Sequence, residues 1–262
     1  MKMSIKAIMT CVIAFSTFSC QELVICKEIE LTNVSMLFDI SDPDLYKDIV
    51  EDLNSNLSHF MKQTKFANIE ECEQATLTIG NLSAKDEFVT RTRAIVIDQK
   101  GLSGAEIRKR ANPTPVMELM KSTIKEYTEF SKNKEYTSST TILVNLLKCL
   151  TSFDEEADNS LLIFSDMVIN NKAENINFYR EIPEKSNTTI ITLADKVLLD
   201  ELHEKMNNGL RVNVIVVLKS EPHNKVKKRD IKEFWIDAFK VLGLENVQFI
   251  DNLSNKIVWE TK

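Results

Sequence analysis

Glycine, proline and histidine are all scarce in this chain: five, five and three residues among 262. So few glycines and prolines exclude long flexible linkers and low-complexity tracts, and the sequence contains no internal repeat. Three histidines, and five cysteines without metal-binding spacing, deny a zinc centre its nitrogen and sulfur ligands. Positive charge is also in deficit. The formal net charge is −6 and the pI about 5.3, which argues against nucleic acid as a partner because no broad basic face can be assembled. The one basic cluster, Lys225 to Arg229, precedes a helical pattern and reads as a solvated turn. What remains is 43% hydrophobic and 27% charged, the balance of a soluble globular protein. The length suits one full-sized domain plus a leader.

Residues 1–20 read as that leader. Lys2 and Lys6 supply a positive end, and Ala7 to Ser19 form an uncharged, mostly apolar stretch of export-core length. It is too short to span a bilayer as a mature helix. Its end, Thr17-Phe18-Ser19-Cys20, resembles a bacterial lipobox, with Thr17 where an aliphatic residue is usual. On that reading Cys20 is the lipidated first residue of an envelope protein whose contact with the membrane is its acyl chains. The alternative is a plain signal peptide, Cys20 being incidental and the product soluble in the periplasm or secreted. Residues 21–30 then form a short tether and 31–262 the domain.

Export into an oxidising compartment permits disulfides. Cys26 and Cys72 each stand a few residues ahead of a candidate strand. If those strands are parallel neighbours, both cysteines lie at one end of the sheet, away from the site, and are the candidate disulfide pair. Cys149, on the face with Ile142 and Leu146, reads as an inert core thiol.

The chain is organised around Val34-Ser35-Met36-Leu37-Phe38-Asp39-Ile40-Ser41-Asp42-Pro43, an apolar strand that ends in an acid, a hydroxyl, a second acid and a proline. In open α/β sheets ligands bind beyond the carboxyl ends of the strands, so Asp39 and Ser41 are positioned to face one ion. The same residues also suit a capped helix, with Ser41 or Asp42 as cap and Pro43 in the first turn. A helix follows over Asp44 to Gln63, with Leu45, Ile49, Leu53 and Leu57 in phase. Strands follow at Ala75 to Ile79 and Phe88 to Ile97, close enough to form a hairpin. Gln99 to Pro115 is irregular, and Val116 to Phe130 is helical. The hydroxyl run Thr137-Ser138-Ser139-Thr140-Thr141 precedes a helix over Ile142 to Leu150. One of these hydroxyls is needed as a helix cap, which leaves the others unexplained. A second buried strand, Ser160 to Phe164, again stops in oxygen ligands, Ser165-Asp166. Helices at Asp195 to Met206 and Asp230 to Leu242 alternate with strands at Val212 to Leu218 and Val247 to Ile250, and Val258 and Trp259 can end a short extra pairing. This alternation predicts an α/β fold: a doubly wound, mostly parallel sheet with helices on both faces and one antiparallel edge strand.

Three loops thus carry Asp39 and Ser41, the hydroxyls around Thr140, and Asp166. Two carboxylates with several hydroxyls are a hard oxygen set that suits Mg²⁺ or Mn²⁺.

In these loops the chain resembles the von Willebrand factor A (vWA) family in its compact bacterial form, over residues 31–252. That family carries Asp-x-Ser-x-Ser after its first strand, a Thr in a later loop and an Asp after its fourth strand, which together form a metal-ion-dependent adhesion site. Asp39 and Ser41 match the first two positions, while Pro43 stands at the third. Asp42 is a candidate replacement ligand. Thr140 fits the family's Thr, with Ser139 or Thr141 as alternatives, and Asp166 fits the distal acid. The resemblance implies a Rossmann-like fold, a bound Mg²⁺ or Mn²⁺, and a protein partner whose acidic group completes the metal's coordination. No histidine or nucleophile pair accompanies these residues, so the chain is expected not to be an enzyme. Two alternatives remain: a scaffold of the same fold that binds a partner without metal, and a Mg²⁺-dependent hydrolase using Asp39.

Overall fold

The computed structural model describes residues 30–39, 43–63, 73–83, 95–98, 122, 125, 142–171, 174–184, 186–219 and 228–257. Among these, six strands form one sheet: β1 (Glu30–Phe38), β2 (Glu73–Asn81), β3 (Ile95–Asp98), β4 (Asp158–Ser165), β7 (Val212–Leu218) and β8 (Val247–Ile250). The short β5 (Asn170–Asn171) and β6 (Ile176–Asn177) make a separate antiparallel pair. Five helices accompany them: α1 (Pro43–Gln63), α2 (Ile142–Thr151), α3 (Ser186–Leu193), α4 (Lys196–Asn207) and α5 (Lys228–Val241).

The strand order is β3-β2-β1-β4-β7-β8, parallel except for β3, which runs antiparallel to β2 at one edge. This is a vWA/Rossmann-like α/β architecture. The chain steps outward from β1 through β2 to β3, then returns to the other side of β1 as β4 and continues through β7 to β8. The order therefore reverses between β1 and β4.

The central strands are apolar on both sides because both faces are covered. In β4, Leu161 and Ile163 face a core shared with α2, α3, α4 and α5, whose largest buried side chain is Trp235. Their neighbours Leu162 and Phe164 point the opposite way and are equally buried. On α1 the buried stripe is Leu45, Ile49, Asp52 and Leu53, a helical repeat with one acid in it. Phe38 and Phe164 stack at 4.7 Å between ring centroids, 12° from coplanar. They pair across β1 and β4, so this contact fixes the register of the two strands at the point where the order reverses.

Where they are described, the predicted strands and helices are present with ends displaced by a few residues; of the strand expected over Phe88 to Ile97, residues 88–94 lie outside the described residues and β3 covers Ile95–Asp98. Of the 116–130 helix, only Ser122 and Lys125 are described, both helical, and Val258 and Trp259 lie outside the described residues. Two features depart from the expectation. Helix α3 has the sequence Ser-Asn-Thr-Thr-Ile-Ile-Thr-Leu, too rich in β-branched residues to read as helical; packing of Ile190 into the core overrides that preference. Lys228 and Arg229 belong to the first turn of α5 rather than to a turn before it, although Arg229 is solvated as expected. Cys149 is a free, buried thiol. Burial pushes it up to about 12, against a smaller opposing effect of its hydrogen bond with Ser35.

Candidate functional site

The sheet order reverses between β1 and β4, and the carboxyl ends of strands at such a reversal are where open α/β sheets bind ligands. Asp39 extends β1 by one residue, its amide donating to the Phe164 carbonyl at 2.8 Å. Directly across, the Ser165 hydroxyl donates to Asp39 Oδ2 at 2.7 Å and accepts from the Met167 amide at 2.8 Å. Asp166 follows, and its Oδ1 accepts from the Val168 amide at 2.9 Å. Both carboxylates are buried, Asp39 at 1% exposure and Asp166 at 3%. Carboxylates removed from water this completely need hydrogen-bond or charge partners, and a divalent cation is one group that could serve both. The donor set is all oxygen, so the residues present fit Mg²⁺ or Mn²⁺.

Neighbouring elements converge on the same edge. The Leu82 amide donates to the Phe38 carbonyl at 2.9 Å, carrying the chain after β2 alongside the end of β1. Asn145, buried in the first turn of α2, donates to the Leu82 carbonyl at 2.9 Å. The start of α2 is thereby tied to the strand ends that hold Asp39. The loop after β4 is equally fixed. Met167 adopts φ 57°, a left-handed conformation rare for a non-glycine residue, and its carbonyl accepts from the Trp235 indole at 2.7 Å.

Of the sequence candidates, Asp39 and Asp166 are described, at the carboxyl ends of the neighbouring strands β1 and β4, Asp39 lying opposite Ser165. Ser41, Asp42, Ser139, Thr140 and Thr141 lie outside the described residues, as do Cys20, Cys26, Cys72 and the 99–115 loop. Among the described residues no group of three or more His, Cys, Asp or Glu side chains is arranged to hold a metal. A metal held by the described pair would need hydroxyl or water ligands beside it. Helix α1 begins at Pro43, in keeping with its first-turn preference, and Pro43 brings no side-chain oxygen.

The sequence reading missed the bridging role of Ser165, although this residue stands directly before Asp166 at the end of an apolar run. It also missed a second polar centre. Lys219, the first residue after β7, is 6% exposed and donates to Asp52 Oδ2 on α1 at 3.0 Å. Asp52 also accepts from the Leu253 amide at 3.1 and 3.2 Å and from Asn56 Nδ2 at 2.9 Å. The signal for Asp52 was its place three residues after Ile49, within the apolar stripe. This pair lines an open cleft of about 430 Å³ together with Asp48, Lys228 and Asp251.

No family model matches the chain, and no curated protein matches it. Several solved structures resemble it weakly. The pilus adhesin SpaC from Lactobacillus rhamnosus GG aligns with 86% of this chain at 9% identity and a TM-score of 0.38, and the chain spans 28% of the adhesin's length. An aerotolerance-related membrane protein from Bacteroides fragilis aligns over 85% of this chain and 93% of its own, at 10% identity and a TM-score of 0.37. The manganese-loaded TRAP protein of Plasmodium vivax aligns over 87% of this chain and 70% of its own, at 12% identity and a TM-score of 0.32. At these scores the likeness assigns neither ligand nor partner to this chain. Among the described residues, no helix is long and apolar enough to cross a membrane.

Proposed function

We propose that this chain is a vWA-like binding module that holds Mg²⁺ or Mn²⁺ at the β1–β4 crevice and binds a protein partner there. The supporting observation is the pair of buried carboxylates, Asp39 and Asp166, set at adjacent strand ends where the sheet order reverses, with Ser165 bonded to Asp39. Ser41 and Thr140 are the proposed hydroxyl ligands, with Asp42 and Ser139 as substitutes. A bound cation would supply an electrophilic position that an acidic side chain of the partner can occupy. Cys20 is the proposed lipid attachment point, which would keep the module at the envelope membrane. The proposal includes no catalytic role.

A metal-free scaffold is the second reading, and Pro43 at the start of α1 favours it, because the third loop ligand then has no side-chain oxygen. Thermal unfolding with Mg²⁺ or Mn²⁺ separates the two. A ligand that binds only the folded protein at a hundred times its Kd stabilises it by about 2.7 kcal/mol. The expected result is a Tm that rises with metal in the wild type and does not move in Asp39→Ala. A wild-type Tm indifferent to millimolar metal rejects the metal site and leaves the scaffold reading. Release of phosphate from phosphate esters would instead point to the hydrolase.

A further inference from the structure

The loop that carries Asp166 is held from behind by one indole. We propose that Trp235 is a positioning residue for Asp166, and through it for the metal affinity of the crevice; the second half of this statement rests on the metal-binding reading above.

The chain of contacts is short. Asp166 Oδ1 accepts from the Val168 amide, which closes a tight turn whose central residue is Met167. Met167 is fully buried and left-handed. A non-glycine residue holds that conformation only when its surroundings over-determine it. The surroundings here are specific. The Met167 carbonyl points inward to the Trp235 Nε1 proton at 2.7 Å, a buried bond between residues 68 apart in sequence. Two residues further on, the Ile169 carbonyl accepts from the Phe178 amide at 2.9 Å. Phe178 sits edge-on to Phe234, and Phe234 edge-on to Trp235. The loop is thus fastened at two points to one aromatic cluster, formed by Phe178 and the α5 residues Phe234 and Trp235. Met167 itself is bonded at both ends: its amide donates to Ser165 Oγ at 2.8 Å, and its carbonyl, the half of the peptide that carries the Val168 amide, accepts from the indole.

If that bond is lost, the Met167 peptide can rotate toward ordinary backbone angles. Rotation would carry the Val168 amide away from Asp166 and remove one of the bonds that orient the carboxylate. The indole acts on Asp166 through the Met167 peptide, so its effect is one of orientation. Partners that orient a metal's ligands from behind are commonly worth ten- to a hundredfold in affinity.

The experiment compares Trp235→Phe with Phe239→Leu, using the full chain. Phe239 is equally buried and packs against Trp235, so its substitution damages the same cluster without touching the bond to Met167. Amide hydrogen exchange at Val168, measured without metal, reads the turn; calorimetric titration with Mn²⁺ reads the affinity. The expected result for Trp235→Phe is faster Val168 exchange than in Phe239→Leu at matched global stability, with Mn²⁺ binding weakened about tenfold or more. Equal Val168 exchange in the two variants overturns the proposal. Faster exchange with no Mn²⁺ binding even in the wild type retains Trp235 as the positioner of Asp166 and rejects the metal reading instead. Should Trp235→Phe fail to fold, the wild type alone decides through its indole proton resonance. A shift of the Trp235 signal on Mg²⁺ saturation supports the link from crevice to indole, and an unmoved signal with bound Mg²⁺ overturns it.

Discussion

Asp52 and Asp39 are both carboxylates withdrawn from water, 7% and 1% exposed, yet their settings differ in kind. Asp52 meets a lysine ammonium, two approaches from one backbone amide, and an asparagine side chain. These contacts join α1, the end of β7 and the segment after β8. Asp39 meets the hydroxyl of Ser165 and has a second carboxylate, Asp166, one residue beyond it. The first arrangement brings its own countercharge and is complete as a structural joint. The second stands at the strand end where the sheet order reverses, the setting in which the proposed cation would be held. Burial alone therefore does not separate a structural acid from a candidate ligand; its place in the sheet does.

The most severe test of this contrast is Asp52→Ala. It leaves Lys219 buried, with Asp48 at 3.6 Å as an exposed remaining partner, and breaking a buried pair from one side costs about 3–5 kcal/mol. Urea unfolding should register that loss with any metal response intact. Replacing both partners, as in Asp52→Leu with Lys219→Met, should recover much of it, because neither charge is then stranded. Failure to recover would mean that Asp52 matters mainly through the Leu253 amide.

Ser165→Ala tests the other centre. It removes the donor to Asp39 and the acceptor for the Met167 amide, a loss of about 1–3 kcal/mol when buried groups go unsatisfied. Unlike Asp52→Ala, it should also weaken Mn²⁺ binding, by about tenfold. A variant that loses stability but keeps its affinity would reduce Ser165 to a structural role.

The smallest effect belongs to Lys228 and Asp251, the exposed counterpart of Lys219 and Asp52. The hydrogen bond and charge of Lys228 lower the Asp251 pKa from its usual 3.8, against a smaller opposing effect of burial. A depressed folded pKa means that the stabilisation is present above the unfolded value and is lost as pH falls through the folded one. Both side chains are substantially solvated, 37% and 74% exposed, so screening holds the contribution below about 1 kcal/mol. The difference in urea midpoint between wild type and Asp251→Asn should accordingly shrink on acidification.

Much of the architecture was legible in the chain because buried parallel strands require continuous apolar runs. Val212 to Leu218 and Val247 to Ile250 coincide with β7 and β8, and the short spacing after β2 foretold the antiparallel β3. Helix α3 was not legible, since Thr188, Thr189, Ile190, Ile191 and Thr192 carry no helical preference and only contact with the core makes them helical. At the site, Asp39 and Asp166 could be picked out because each terminates an apolar strand. Nothing local to Trp235 distinguishes it from any other core aromatic.

The sequence by itself determined the order of the elements, the burial of the sheet on both faces, and the two acids at strand ends. These follow from hydrophobic periodicity and from side chains adjacent in the chain. Which strands became neighbours was decided only in three dimensions, and with it the meeting of Asp39 with Ser165, of Lys219 with Asp52, and of Trp235 with Met167. Such pairs are separated by 126, 167 and 68 positions. No local propensity spans those distances; only the packing of helices on a sheet whose order reverses at β1 and β4 brings the partners into contact.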